Sequence, residues 1–260
     1  MITVPDFISE YSLNGWRPLN IVVVGAGGTG SALLNKLFQL HMTMVNLGAR
    51  GFKVTVYDDD TVSPSNIGRQ AFWTVDLGAN KANVLVDRYN RFGDIAWKGV
   101  AGKFDGDVDR YGGTVIFGCV DNVDARKLIH RVMQKEEVVW IDCGNDSRSA
   151  NVMMGVNAKT NGKKVYLPSI YDLFKTQMDD VNVQPEPSCS TAEAIARQEF
   201  GINELAACQA VQMLWQLIRH GKVDYQGVTV DLASGSTTPI QADPDIWAMF
   251  GYLASNKDAA

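Results

Sequence analysis

Chemistry-bearing side chains gather in two short stretches of the first half of the chain. Asp58 and Asp60 belong to a run of three carboxylates, and residues 65–70 have the sequence Ser-Asn-Ile-Gly-Arg-Gln, with Lys81 not far beyond. A carboxylate at the end of the second strand of a dinucleotide fold accepts hydrogen bonds from ribose hydroxyls. Arginine offers a fork to two phosphate oxygens, and lysine offers a movable point charge. A ribose and a chain of phosphates are therefore the predicted ligand groups.

Each of these short motifs, taken alone, also fits a solvated surface. Asn66, Arg69 and Lys81 would surround a triphosphate only if a loop placed them together beyond the acidic strand end. The distance from the last glycine of the preceding turn to Asp58 exceeds the roughly 20 residues of a plain NAD site. This spacing makes a nicotinamide cofactor the weaker interpretation.

A third candidate group follows an apolar run at residues 114–117. Asp121 and Asn122 come shortly after this predicted strand. In open α/β sheets, ligands bind outside the carboxyl ends of the strands, so Asp121 should face the same site. A carboxylate there suits Mg²⁺, which would hold phosphate oxygens. Asp121 could also cap the helix that follows, and the two roles are compatible.

A glycine-rich turn ties these groups to a nucleotide. Residues 21–24 are apolar β-formers that run into Gly-Ala-Gly-Gly-Thr-Gly at 25–30, and a helical pattern opens at Ser31. Glycine lets the backbone turn tightly and lets a phosphate approach closely. The helix behind the turn points unpaired N–H groups at the same place, which favours an anion. The pattern predicts nucleotide binding here.

Alternating periodicities predict the elements that position these residues. Strands and helices alternate up to residue 144, as in a doubly wound sheet, and the later strands follow one another without helices. The predicted fold class is therefore α/β, with a Rossmann-like, doubly wound, mostly parallel sheet and antiparallel additions in the C-terminal half. The predicted strands are 21–24, 53–57, 114–117, 138–141, 151–157 and 164–167, with a hairpin at 227–232 and 238–241. The predicted helices are 31–40, 82–92, 125–134 and 202–220.

The chain has no stretch with the character of a linker, so we expect a single domain over residues 1–260. Its nucleotide-binding half would cover about 18–145, and a C-terminal helix and hairpin about 201–245. A crossover loop would cover about 168–200, because residues 169–189 are polar and carry two closely spaced prolines. Long polar segments of this kind are usually functional or mobile loops.

Composition excludes several classes of function. The net charge of −5 argues against a general nucleic-acid binder, which needs a basic surface. The longest apolar segment, 206–218, is interrupted by three glutamines, so we expect no membrane span. The four cysteines form no CxxC pair, which indicates no zinc and reduced thiols in a cytoplasmic protein. Cys119, Cys143 and Cys208 are predicted to lie in the core, and the three histidines to be solvated or capping.

Taken in order, these pieces resemble one family. The pattern G-x-G-G-x-G-S, then Asp-x-Asp-x-Val-x-x-Ser-Asn-x-x-Arg-Gln, then Lys and Asp-Asn, is similar to that of the ThiF/MoeB/HesA group, a relative of the ubiquitin-activating enzymes. The resemblance runs from about residue 20 to 157, and the helix predicted at 202–220 extends it. Residues 187–193, Pro-Ser-Cys-Ser-Thr-Ala-Glu, resemble a smaller branch, the ThiF-like proteins of PRTRC systems.

The resemblance implies an ATP site with Mg²⁺ and a role for each matching residue. The glycine turn and Asp58 would hold the adenosine and ribose, and Asp121 would bind Mg²⁺. The catalytic side chains would be Arg69, Lys81, Asp121 and, in a later step, Cys189. The other nucleotide contacts would be Gly25, Gly27, Gly28, Gly30, Asp60, Asn66, Gln70 and Asn122.

The implied reaction is adenylation of a protein carboxylate. The C-terminus of a ubiquitin-like or sulfur-carrier protein with a Gly-Gly tail would attack the α-phosphorus of ATP, and pyrophosphate would leave. The family also implies a homodimer. Two departures bear on these implications: residues 11–18 offer only Arg17 for a cross-subunit contact with the phosphates, and the zinc-binding CxxC pairs of many members are absent.

Cys189 is the residue whose role the family leaves open. Members that pass the activated carboxyl group to a thiol keep a cysteine in the crossover loop, and a helix starting at Ser190 could lower the pKa of this thiol. The spacing from Cys189 to the helix at 202–220 is longer than in ThiF. A structural cysteine is an equal alternative.

Two other functions remain open at this stage. A catalytically silent protein could bind a nucleotide and dock a ubiquitin-like partner, although intact Arg69, Lys81 and Asp121 argue against it. An NAD-dependent oxidoreductase would explain the glycine turn and Asp58. It would leave Asn66, Arg69 and Lys81 unexplained, and the chain shows no evident catalytic histidine or Lys–Tyr pair.

Overall fold

The computed structural model describes residues 1–11, 17–180 and 198–253. Within them, a nine-stranded sheet is flanked by helices on both faces, and a small two-stranded sheet lies to one side. The strands are β1 (Ile2–Thr3), β2 (Leu19–Val24), β3 (Phe52–Tyr57), β4 (Lys98–Val100), β5 (Thr114–Gly118), β6 (Val138–Asn145), β7 (Ser149–Thr160), β8 (Lys163–Leu167), β9 (Lys222–Val223), β10 (Gly227–Asp231) and β11 (Ser236–Ile240). The helices are α1 (Asp6–Tyr11), α2 (Gly28–Asn46), α3 (Lys81–Gly93), α4 (Val123–Lys135), α5 (Ile170–Leu173), α6 (Lys175–Asp180), α7 (Ile202–His220) and α8 (Pro244–Met249).

The main sheet has a parallel part and an antiparallel part. Its order is β11-β10-β7-β6-β5-β2-β3-β4, and β8 pairs with β7. The pairs between β6, β5, β2, β3 and β4 are parallel. Every pair beyond β6 is antiparallel, including the hairpin of β10 and β11. The predicted α/β fold, with a Rossmann-like parallel sheet and antiparallel additions in the C-terminal half, is confirmed.

The central strands are apolar on both faces because helices cover both faces. In β2, Ile21 and Val23 belong to the core cluster on the side of α2, α3 and α7. The intervening Val22 and Val24 belong to the cluster on the side of α4. Burying both alternating sets removes each from water and makes β2 a continuous apolar run, as is typical of parallel strands.

Local signals set the ends of several helices. Asn80 caps α3 by accepting a hydrogen bond from the N–H of Asn83, and Asn122 caps α4 by accepting one from Ala125. Gly221, with a φ of 70°, ends α7 in the left-handed conformation that glycine tolerates. The structure therefore assigns the α4 cap to Asn122, which corrects the alternative in which Asp121 was the cap.

Within the expected crossover loop, Ser169 caps the short helix α5, and α6 follows it directly. Predictions for three individual residues are corrected. His41 is buried and accepts a hydrogen bond from the N–H of Phe52, so it is not solvated. Cys208 is exposed on α7, and Cys119 is only partly buried, whereas Cys143 is in the core as expected.

In the part of the chain that the structure describes, no helix has the length and apolar character needed to cross a membrane.

Candidate functional site

A cleft of about 1170 Å³ lies at the carboxyl ends of the central parallel strands. It is where a ligand is expected in an open α/β sheet. Most of the residues singled out from the sequence line it together: Gly25, Gly27, Gly28, Asp58, Asp60, Asn66, Arg69, Gln70, Lys81, Asp121 and Asn122. Gly30 lies behind the lining in the first turn of α2, and Cys189 lies outside the described residues.

Contacts at Gly25 and Gly30 leave no room for a side chain on either glycine. Gly25 has a φ of 94°, and a Cβ there would lie 2.4 Å from the carbonyl oxygen of Cys119. A Cβ on Gly30 would lie 2.0 Å from the carbonyl oxygen of Gly25. Among the described residues, no side chain caps α2. The first N–H groups of this helix therefore stay available to a ligand, and the helix dipole favours an anion there.

Asp58 fastens the glycine turn to the end of β3. Its Oδ2 accepts a hydrogen bond from the N–H of Ala26 at 2.5 Å, and its Oδ1 accepts one from the N–H of Asp60 at 2.9 Å. Burial raises the pKa of Asp58, while these two hydrogen bonds oppose the shift. The carboxylate positions the turn, and its remaining lone pairs are where ribose hydroxyls would bind.

Lys81 brings a buried positive charge to the cleft. Its side chain is 8% exposed, and its Nζ lies 2.8 Å from Oδ2 of Asp60, which is 68% exposed. The neighbouring Asn66 is buried, and its Oδ1 accepts hydrogen bonds from the N–H and Oγ of Ser63. These bonds close a 3-10 turn at Pro64–Asn66. The turn fixes the loop that carries the next two side chains.

Arg69 and Gln70 each carry a buried polar atom that has no partner among the described residues. The Nη1 of Arg69 donates to Oε1 of Gln198 at 3.0 Å. The Nε of Arg69 and the Oε1 of Gln70 are buried and make no hydrogen bond within the described residues. Buried polar groups are nearly always satisfied in folded proteins, so such atoms in a cleft indicate capacity for a ligand.

A buried ion pair in the wall of the cleft was not predicted. Arg126 donates from Nε to both carboxylate oxygens of Asp142, at 3.1 and 3.2 Å. Asp142 is 2% exposed, and its burial raises its pKa, while Arg126 opposes that shift. The carboxylate of Asp142 in turn raises the pKa of Arg126. The sequence signal for this pair was Asp142, an acidic residue inside the apolar run of β6.

A second unpredicted cluster joins the glycine turn to α7. Asn203, 5% exposed, accepts hydrogen bonds at Oδ1 from Oγ1 of Thr29 (2.9 Å) and Nδ2 of Asn145 (2.6 Å). A Cβ on Gly28 would lie 2.7 Å from Nδ2 of Asn203. All four residues line the cleft. These polar residues lie on three elements far apart in sequence, so periodicity gave no signal for them.

Two cysteines also line the cleft, on neighbouring strands. Gly118 pairs with Asp142 across β5 and β6, which places Cys119 beside Cys143. The hydrogen bond that the Cys143 thiol donates to Cys119, followed by burial, raises the pKa of Cys143 well above its usual value. Cys143 therefore stays protonated near neutral pH and is a poor nucleophile.

The charge of the cleft is mixed. Among the described lining residues, five basic side chains (Arg69, Lys81, Lys103, Arg126, Arg131) face six carboxylates (Asp58, Asp59, Asp60, Asp121, Asp124, Asp146). Buried cations beside an open helix terminus suit a phosphate ester. The surrounding carboxylates suit a divalent cation that accompanies it.

The sequence model of the ThiF family matches residues 2–244. No curated protein sequence matches the chain. Similar solved structures include PaaA (16% identity, TM-score 0.58) and two of Escherichia coli MccB, one with ATP (15%, 0.57) and one with MccA-N7isoASN (15%, 0.59). The alignments cover 91–92% of this chain. The chain spans 66% of the length of PaaA and 67% of that of MccB in these two structures.

Proposed function

The chain belongs to the ThiF family, and on that premise we propose that it uses ATP to adenylate the C-terminal carboxylate of a small polypeptide. The observation that carries the proposal is the meeting of the glycine turn with buried Lys81 and half-buried Arg69 in one cleft. A nicotinamide site needs the turn and an acid but not these cations, because the turn already holds its pyrophosphate. A triphosphate needs both the glycine turn and the cations.

The proposed nucleotide lies along the edge of the sheet. The glycine turn and the carboxylate of Asp58 hold adenosine and ribose, and the N–H groups at the start of α2 face the phosphates. The phosphates extend toward Arg69 and Lys81, and the amides of Asn66 and Gln70 lie beside them. Gln70 Oε1 has no partner among the described residues. Because an amide oxygen only accepts hydrogen bonds, this atom suits a ligand hydroxyl or an ordered water.

In the proposed reaction, a carboxylate oxygen of the polypeptide attacks the α-phosphorus of ATP. The bond from that phosphorus to the bridging oxygen breaks, and pyrophosphate leaves with the bonding electrons. The chemistry needs positioning and charge stabilisation more than proton transfer. Arg69 and Lys81 would neutralise charge that develops on the phosphate oxygens. Both are fixed by contacts to Gln198 and Asp60 before a ligand arrives.

The donor set of the cleft fits the implied Mg²⁺. Asp121 offers an exposed carboxylate at the carboxyl end of β5, and carboxylate oxygens are the ligands that Mg²⁺ prefers. Six carboxylates would repel a bare triphosphate, so the nucleotide would enter as its metal complex. When bound, Mg²⁺ would neutralise phosphate charge, and Asp121 would hold it.

The cleft has room for more than a nucleotide. Its volume of about 1170 Å³ exceeds the roughly 300–1,000 Å³ usual for a small-molecule site. The space beyond the phosphates would accept an extended polypeptide tail. By resemblance to the family, we propose a ubiquitin-like or sulfur-carrier protein ending in Gly-Gly. The homodimer implied by the family also stays a prediction.

The test is exchange of [³²P]pyrophosphate into ATP with candidate Gly-Gly-tailed proteins. We expect exchange that requires both Mg²⁺ and the free C-terminal carboxylate, with the C-terminally amidated partner as the matched control. Tight NAD binding together with no exchange for any partner would overturn the proposal.

Transfer of the activated carboxyl group to Cys189 is the proposed second step. A thioester would form as the thiolate displaces AMP. We expect a thiol-sensitive adduct with the partner that disappears in Cys189→Ala, with exposed Cys208→Ala as the control. An adduct that survives Cys189→Ala would remove this cysteine from the mechanism.

A further inference from the structure

A continuous chain of polar side chains runs through the cleft from α2 to Arg69, and Asn203 is its centre. Asn203 accepts hydrogen bonds at Oδ1 from Thr29 and Asn145. Its Nδ2 faces Oε1 of Gln198 at 3.5 Å, and Gln198 accepts the hydrogen bond from Nη1 of Arg69. One buried amide thus links the phosphate-binding end of a helix to a phosphate-binding guanidinium.

The position of Asn203 is tightly constrained. Its amide fills the space in which a Cβ of Gly28 would stand, with all three amide heavy atoms within 2.8 Å of that point. Asn145 donates from Nδ2 to Thr29 as well, at 3.2 Å, so the three side chains close a ring. The ring joins the start of α2, the end of β6 and the first turn of α7. Asn203 is thus held against Gly28 and Thr29, the first two residues of α2.

We propose that Asn203 is a positioning residue, which holds the N-terminus of α2 and the Arg69 side chain in the geometry that binds a nucleoside triphosphate. The inference rests on the proposed function only in taking the ligand to be ATP. Asn203 does not touch the reacting atoms. It acts through Thr29 on the helix terminus and through Gln198 on Arg69.

This positioning role predicts that substitution of Asn203 lowers the affinity for ATP more than the affinity for adenosine. Asn203→Leu keeps the size of the side chain but removes the acceptor of the Thr29 hydroxyl and the shorter of the two hydrogen bonds that the Asn145 amide donates. Because both contacts serve the phosphate end of the cleft, ATP affinity should fall about tenfold, the effect of losing one or two hydrogen bonds. Affinity for adenosine, which has no phosphates, should change less than about twofold. Calorimetric titration of both ligands gives the ratio directly.

Asn157→Leu is the matched control. Asn157 is also 5% exposed, and it donates to the backbone carbonyls of Met133 and Glu136. It pairs with Val138, at the opposite end of β6 from the cleft. This variant should lower thermal stability while leaving the ratio of ATP to adenosine affinity at the wild-type value. Thr29→Val combined with Asn203→Leu should weaken ATP binding no more than Asn203→Leu alone, because both act on one contact.

Equal losses for ATP and adenosine in Asn203→Leu, or no loss, would overturn the inference. If this variant does not fold, Gln198→Met breaks the same chain at a partly exposed site, and it should weaken ATP but not adenosine about threefold. A Gln198→Met protein with unchanged ATP affinity would then overturn the inference. Wild-type protein that binds no ATP would instead refute the proposed function.

Discussion

Two buried polar regions of this molecule differ in how fully their hydrogen bonds are satisfied. Around Gln226, in the antiparallel part, every polar group of that residue is used. Nε2 donates to the carbonyls of Met154 and Pro168, and Oε1 accepts from Nε1 of Trp247 at 2.6 Å. The cleft instead keeps buried atoms of Arg69 and Gln70 that have no partner among the described residues.

The difference separates a structural network from a binding site. Gln226 is fully buried, and its backbone N–H and carbonyl are also bonded, to Ile240 and Met154. Such a network fixes the fold and offers nothing to a ligand. The unsatisfied polar groups of the cleft destabilise the empty protein, and a ligand or water can satisfy them. Substitutions in the two regions should therefore affect different measurements.

The largest expected effect belongs to the cleft. Lys81→Met removes a cation while keeping a long apolar stem, so the phosphates lose charge stabilisation. We expect pyrophosphate exchange to fall about 100-fold or more, the usual result of removing one preorganised charge donor. The melting temperature should change by less than about 2 °C, because the ion pair with exposed Asp60 stabilises the fold little. Full exchange in this variant would refute the role given to Lys81.

The next effect belongs to the Gln226 network. Gln226→Leu leaves Nε1 of Trp247 and the carbonyl of Pro168 buried without partners. We expect a loss of about 2–3 kcal/mol of unfolding free energy, which corresponds to a fall in melting temperature of roughly 4–10 °C. ATP affinity, measured by calorimetry on the folded protein, should match that of the wild type. A change in ATP affinity with no change in stability would contradict the contrast between the regions.

The smallest expected effect is a pH dependence of stability that comes from His41, a second buried side chain whose hydrogen bond is made within the protein. Burial lowers the pKa of His41, while the hydrogen bond from the N–H of Phe52 to Nδ1 opposes the shift. The unfolded chain therefore binds a proton more readily than the folded one, and stability falls as pH drops below about 6.5. Burial also lowers the pKa of His130, so this residue gives stability a pH dependence of the same sign.

Between pH 7.5 and 5.5 we expect the melting temperature to fall by a few degrees, the effect of about 1 kcal/mol. His41→Gln, which can still accept from Phe52, should reduce this fall. The same substitution at exposed His220 controls for the loss of an imidazole. An undiminished fall in His41→Gln would show that His130 or other groups carry the pH dependence.

Sequence periodicity predicted most of the fold because buried strands and amphipathic helices follow fixed repeats. The helix at 202–220 has the predicted bounds, and the central strands differ by a few residues at their ends. The short β1, β4 and β9 were missed, since two or three residues carry no measurable period. His41 was misjudged because its ring packs against Phe52 and Trp97, which are distant in sequence.

In the candidate site as well, residues in contiguous motifs were predicted and residues joined by long-range contacts were not. Residues inside contiguous motifs, such as Arg69 and Lys81, were predicted and do meet in one cleft. Asn145, Gln198 and Asn203 were not, because they meet through contacts between the end of β6, the segment before α7 and the first turn of α7. Contacts between elements far apart along the chain leave no local pattern in the sequence.

The dependence of α2 on α7 has a consequence for the order of synthesis. The helix beginning at Ile202 packs on α2, β6 and β7. A nascent chain that ends before this point leaves those apolar surfaces uncovered and lacks Asn203. The ribosome therefore has to release the last quarter of the polypeptide before the parallel half of the sheet, although made first, has its full cover.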